Sequence, residues 1–195
     1  MTSIGRNLDS KTTEKYDIKR IDRLLSNYTL LRGSTSVYVS LSHFVVTEKH
    51  LVILVDWSHG DTQTKHCILR ASIASKGRAL TLYQKSTFSF QCPCPKVQKH
   101  YLKILKLLLL SDCRPVIVTD VGFKVPWLKA VKSNSWYYIS RVRGTAHLKT
   151  EHSDGFISCQ SRFKNNRRNS QYLGATALTK SAKYHTHAAL VGKGG

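Results

Sequence analysis

The sequence predicts an α/β protein built on one mixed β-sheet, with elements in the order strand, strand, strand, helix, strand, helix, strand. Three observations predict it. Residues 51 to 55 (LVILV) and 116 to 119 (VIVT) are apolar or β-branched runs without polar alternation, the mark of strands covered on both faces, and each leads directly into an acid, Asp56 and Asp120. Residues 66 to 74 and 79 to 83 are β-like on either side of Lys76-Gly77, which is turn chemistry for a hairpin. Residues 95 to 111 change to helical spacing: Val97, Tyr101, Ile104, Leu105 and Leu108 recur three or four apart, with Lys99, Lys103 and Lys106 off that stripe.

The remaining elements follow in order. Residues 10 to 27 read as a helix, with Ser10 or a following Thr as cap and Glu14 in the first turn. Ile18, Ile21 and Leu25 share one face; Lys15, Lys19 and Arg23 share another, with Arg20 beside them, and Asn27 ends the helix. That basic face is either a solvated surface or a phosphate-contacting one. Residues 34 to 47 fit a strand or a core helix, and periodicity does not separate the two. Pro126 suits the first turn of a short helix through Val131, and residues 136 to 142 (WYYISRV) form the last strand, closed by Gly144.

The three consecutive strands suggest an antiparallel meander, and the later strand–helix–strand units require parallel right-handed crossovers. Helices are expected on both faces. Asp56 and Asp120, each expected as the last residue of its strand, then share the carboxyl edge where such sheets bind ligands. The chain divides into a basic helical region at 1 to 47, a sheet core at 48 to 145, and a segment at 146 to 195. That last segment is either the start of a β-rich region or a mobile basic tail. Residues 155 to 195 contain no acid and seven Lys or Arg, with a polar basic run at 165 to 169 and a VGKGG end.

Composition narrows the partner. The 195 residues carry 31 Lys and Arg against 11 Asp and Glu, a formal net charge of +20. Self-repulsion on that scale opposes compaction, and a large anionic partner accounts for it. Nucleic acid is preferred over an anionic membrane or a merely solvated surface. The 5 cysteines form no regular framework. Cys67 and Cys113 read as small core residues, and Cys92-Pro-Cys94 with His100 falls short of a zinc site for want of a second ligand pair. Reduced thiols are expected. No signal peptide is legible, and the LLLL run at 107 to 110 is too short to span a bilayer, so a soluble, cytoplasmic protein without a membrane partner is expected.

Two carboxylates at neighbouring strand ends repel unless something neutralises them, and a divalent cation does so. Mg²⁺ takes hard oxygen ligands, often one or two carboxylates, and leaves positions for substrate phosphate. An Asp after a strand also commonly caps the next turn; the pairing of two such acids after two apolar strands is what favours metal binding. Asp61 and Asp112 are explained by turn roles.

Four stretches carry a further signal: LVDWSH at 54 to 59, LRASIASKGRALTLYQK at 69 to 85, VTDVGFKVPWLKAV at 118 to 131 and WYYISRVRG at 136 to 144. Together with IKRIDRLLSN at 18 to 27, they closely resemble DDE transposases of bacterial insertion sequences, more narrowly the IS-four group that includes the transposon Tn-ten enzyme. The resemblance is collinear over roughly residues 5 to 150. It implies a ribonuclease-H-like core and cut-and-paste DNA transposition using Mg²⁺ or Mn²⁺: hydrolysis at element ends, a hairpin intermediate, and strand transfer into target DNA by the freed 3′-hydroxyl. It implies that Asp56 and Asp120 are the first two catalytic, metal-ligating carboxylates. It also implies a homodimer in the paired-end complex, in the bacterial cytosol at the nucleoid. The DNA-contacting candidates are Lys15, Lys19, Arg20, Arg23, Lys124, Arg141 and Arg143, with Arg141 and Arg143 expected to alternate on the last strand.

One part of the pattern is absent. The third carboxylate of that group lies in a Tyr-x2-Arg-x3-Glu-x6-Lys motif. Only Tyr138 has an Arg three residues on, Arg141, and the Glu position is then Thr145. Glu151 is the only glutamate after Asp120 and sits in a polar, loop-like stretch, so no third carboxylate is assigned. The expectation is a truncated transposase that is inactive alone. The alternatives are a non-catalytic DNA-binding remnant competing at element ends, or a metal-dependent nuclease of the same fold, which does not account for the long motifs.

Overall fold

The computed structural model describes residues 12–59, 65–165 and 170–191. Ser10, Asp61, the basic residues at 166 to 169 and the stretch from 192 onward lie outside them.

Two helices open the described chain: α1 (Glu14–Leu25) and α2 (Tyr28–Val45). Thr13 occupies the cap position of α1 without a side-chain capping bond. Asn27 does more than end α1. Its Oδ1 accepts the backbone N–H groups of Thr29 at 2.9 Å and Leu30 at 3.3 Å, which starts α2 at once. The ambiguous residues 34 to 45 are therefore helical, although Val37, Val39 and Thr35 are strand-favouring types. Packing overrides that propensity: Tyr38 meets Tyr83 edge-on with ring centroids 5.2 Å apart, and Val39 rests on the core. Leu25, on the face that Ile18 and Ile21 share, is exposed.

The main sheet comprises β1 (Val52–His59), β2 (His66–Ser75), β3 (Arg78–Phe88), β4 (Val116–Thr119) and β5 (Tyr137–Ser140). Helix α3 (Pro95–Leu107) lies between β3 and β4, and α4 (Val125–Lys132) between β4 and β5. The spatial order is β3-β2-β1-β4-β5. The first three strands form the expected antiparallel meander, and β1, β4 and β5 run parallel. Gly77 takes φ +70 in the β2–β3 turn, a left-handed conformation that suits glycine. The β2–β3 ladder shifts register after Ala71, so Leu82 is an extra residue and both Leu82 and Tyr83 turn inward.

The core lies on one face. Ile53, Val55, Leu69, Ala71 and Ile117 pack beneath Tyr101, Leu102 and Leu105 of α3 and Trp127, Leu128 and Val131 of α4. The opposite face presents Val52, Leu54, Tyr137 and Ile139, all exposed. The two crossover helices, α3 and α4, thus share one face. The reason is directional. From β1 to β4 to β5 the chain steps the same way across the sheet, and successive right-handed crossovers in one direction place their helices on the same side. A change of face requires a reversal of strand order that this topology lacks.

Residues 147 to 190 are not a bare tail. They form β6 (His147–Thr150), β7 (Ile157–Ser158), α5 (Cys159–Asn165), β8 (Gln171–Leu178) and β9 (Tyr184–Leu190), with a second sheet ordered β7-β6-β8-β9. Leu178 is buried in the main core, and Ala146 and Tyr184 pack against it. The Tyr138 hydroxyl bonds Thr186 Oγ1 at 2.8 Å and donates to the Tyr184 hydroxyl at 3.2 Å, joining β5 to β9. No helix among the described residues is long and apolar enough to cross a membrane.

Candidate functional site

Two corrections set the geometry of the carboxylates. Asp56 is not the last residue of β1: the strand continues to His59 in antiparallel pairing with β2. What ends at Val55 is the parallel pairing with β4, where Val55 faces Thr119. Nor is Asp120 the last residue of its strand: β4 ends at Thr119, and Asp120 is the first residue past it. Continuing that register by one residue sets Asp56 and Asp120 side by side on neighbouring strands, about 5 Å apart at the backbone.

Side-chain alternation puts both acids on one face. Ile53, Val55, Ile117 and Thr119 are buried under the helices, so Asp56 and Asp120 project with Leu54 and Val118 to the open side. Asp56 Oδ1 accepts the N–H of Trp57 at 2.8 Å. The turn after Asp120 folds against the same region, since a β-carbon at Gly122 would stand 3.8 Å from Cδ1 of Trp57. Behind the turn, Phe123 and Trp127 meet at a tilt of 42° with ring centroids 4.6 Å apart and anchor it to α4.

The basic candidates separate into two groups. Lys15, Lys19, Arg20 and Arg23 are exposed on α1, outside the sheet. Lys124, Arg141 and Arg143 are exposed on segments that leave the carboxyl ends of β4 and β5, the edge that carries the acids. Arg141 and Arg143 do not alternate on a strand as expected, because β5 ends at Ser140. Arg141 remains held: its N–H donates to the carbonyl of Thr119 at 3.0 Å, and its Nη1 lies 3.7 Å from Asp120 Oδ1.

Arg70 escaped the sequence reading. It is the cross-strand partner of Asp56 on β2 and is exposed between buried Leu69 and Ala71. A signal was present: it is the only charge in the apolar stretch CILRASIA. Nothing local told which strand residue it would face.

As a donor set, Asp56 and Asp120 offer hard carboxylate oxygens without His or Cys, which suits Mg²⁺ or Mn²⁺ and not a tetrahedral zinc centre. Among the described residues no group of three or more His, Cys, Asp or Glu is placed to hold a metal. Glu151 follows β6 in the second sheet. A cavity of about 650 Å³ opens elsewhere, lined by His152, Asp154, Arg162 and Gln171 among others, and involves neither Asp56 nor Asp120.

Comparison with family models, with curated proteins and with solved structures finds no match to this chain.

Proposed function

We propose that the chain carries the ribonuclease-H-like core of a DDE transposase and supplies two of its three metal-ligating carboxylates, Asp56 and Asp120, for phosphoryl transfer on DNA. The observation that carries this is the side-by-side placement of the two acids on one face, where the parallel pairing of the central strands ends. The strand order β3-β2-β1-β4-β5, with its antiparallel meander followed by parallel strands, supports the fold. The +20 charge supports a polyanionic substrate, and the four motif stretches support DNA transposition in the bacterial cytosol.

Within this site Asp56 and Asp120 hold the cation and set the position of the phosphate it contacts. When bound there, Mg²⁺ or Mn²⁺ would neutralise the pair and supply Lewis-acid chemistry to the phosphate. Arg141, beside Asp120, meets charge on the phosphodiester. Lys124 and Arg143, on the same edge, extend the basic rim.

A second reading is a DNA-binding protein that does not cut. The absence of a third acid beside the pair among the described residues favours it for this chain. One experiment separates the two: incubation with Mn²⁺ and an insertion-sequence end duplex. The expected result is salt-sensitive binding without nicking. Nicking that D56A and D120A abolish shows instead that the two-carboxylate site is sufficient. A flat salt response of binding overturns the nucleic-acid assignment altogether.

A further inference from the structure

The two acids belong to a longer row. Asp56 pairs with Arg70 across β1 and β2. One step past Val55 and Thr119, Asp56 is level with Asp120. One step past Thr119 and Ser140, Asp120 is level with Arg141. Across β2, β1, β4 and the end of β5 the order is therefore Arg70, Asp56, Asp120, Arg141, and all four are exposed. Gln84 on β3, the partner of Arg70, continues the row and is also exposed.

We propose that this row is the track of one nucleic-acid strand, which crosses the sheet at right angles to its β-strands. Arg70 and Arg141 each hold a phosphate on opposite sides of the one addressed by Asp56 and Asp120. The assignment rests on the carboxylate site proposed above and adds to it a direction and a contact residue, Arg70.

Three features carry it. The sign pattern is positive, negative, negative, positive: the centre suits a cation-held phosphate, and the flanks suit phosphates held without metal. The dimension agrees, since three inter-strand spacings separate Arg70 from Arg141, about 14 Å. A single strand advances about 3.4 Å per nucleotide along a duplex axis, so the row spans about four nucleotides. The arginines are also available. Among the described residues no ion pair joins Arg70 to Asp56, whereas Arg141 reaches Asp120. The Arg141 pair is loose at 3.7 Å with Arg141 77% exposed, so its guanidinium can turn to a phosphate. Below the row the same face is apolar, with Leu54, Val118 and Ile139, which confines a polyanion to the edge.

The competing explanation is that both arginines merely neutralise the acids. The test measures anisotropy of a labelled DNA duplex across a salt series for wild type, R70Q, R70K, R141Q and K103Q, with Lys103 lying on α3 at the far face. R70Q and R141Q are each expected to reduce the slope of log affinity against log salt by about one, while R70K and K103Q keep the wild-type slope. An unchanged slope in R70Q, or an equal loss in K103Q, overturns the track. R70K controls for folding, because a slope loss in R70Q with wild-type behaviour in R70K assigns the effect to charge. A Mn²⁺ titration of wild type and D56N runs in parallel. Mn²⁺ binding with an unchanged R70Q slope sinks the track alone. A reduced slope without Mn²⁺ binding sinks the metal reading and leaves Arg70 a DNA contact.

Discussion

Arg141 stands with its Nη1 3.7 Å from Asp120 Oδ1, one residue beyond the point where β5 stops. The backbone makes this meeting, because the Arg141 N–H donates to Thr119 and holds the residue level with the acid that follows β4. Both side chains remain largely in solvent, at 77% and 59% exposure, so the pair is worth little as a stabiliser and is open to exchange.

That openness gives the first prediction. R141Q removes a cation competing with metal for Asp120, and Mn²⁺ affinity rises by about fivefold at most, the range of an exposed ion pair. D56N and D120N abolish Mn²⁺ binding while shifting stability by no more than about 0.5 kcal/mol, as exposed substitutions do. Paramagnetic resonance of free Mn²⁺ and urea melts check both. Undiminished Mn²⁺ binding in D56N removes Asp56 from the site.

The cysteines should react in a definite order. Cys94 precedes α3, and the backbone N–H groups of Val97 and then Lys96 hold its half-buried thiol below the usual range. Burial, then a hydrogen bond with Cys67, pushes the Cys92 thiol up to about 12. Burial also raises Cys113 and Cys159. Iodoacetamide is therefore expected to label Cys94 first, with a rate that climbs at lower pH than for an ordinary thiol. Peptide mapping over time checks this, and equal rates at Cys92 and Cys94 contradict it.

Tyr138 joins the two sheets through Tyr184 and Thr186. Y138F is expected to cost about 0.5–1.5 kcal/mol, the usual net worth of such bonds. Burial first, and then the bond from Tyr138, raise the Tyr184 phenol above its ordinary value. The folded state then holds that proton more tightly than the unfolded chain. This contribution is fully present below the ordinary tyrosine pKa of about 10 and is lost as pH rises through the raised value. Urea midpoints at about pH 8 and pH 10.5 should fall further in wild type than in Y184F.

Trp127 has no solvent exposure, yet its indole Nε1 has no hydrogen-bond partner among the described residues. Truncation and trimming therefore diverge. W127A is expected to cost about 3–5 kcal/mol through cavity formation. W127F opens a smaller space and removes an unpaired N–H, whose burial costs about 1–3 kcal/mol, so it falls well short of that loss. Denaturant midpoints with unchanged slopes measure the difference.

Much of the main sheet was legible because its signals are local. The apolar runs at β1 and β4, the Lys76-Gly77 turn and the stripe of α3 each follow from spacing within one segment. The same holds for the two acids, one within β1 and one just past β4, since each directly follows an apolar run. The resemblance to DDE transposases, also read from contiguous motifs, supplied a reaction for them. Residues 34 to 45 were not legible, since strand-type side chains on a capped helix are resolved only by what Tyr38 packs against. For residues 146 to 195 a β-rich region and a basic tail both stayed open, because the strands of the second sheet gain their order only from pairing with one another.

By itself, then, the sequence determined the apolar strands, the acid directly after each apolar run, and a net charge of +20. Only the tertiary structure decided that Asp56 and Asp120 are level, that Arg70 and Arg141 flank them, and that both crossover helices leave the other face open. The reason is that register and handedness belong to pairs of strands distant in the chain. A one-residue slip would send each of these side chains to the opposite face, and no single segment encodes the alignment that prevents it.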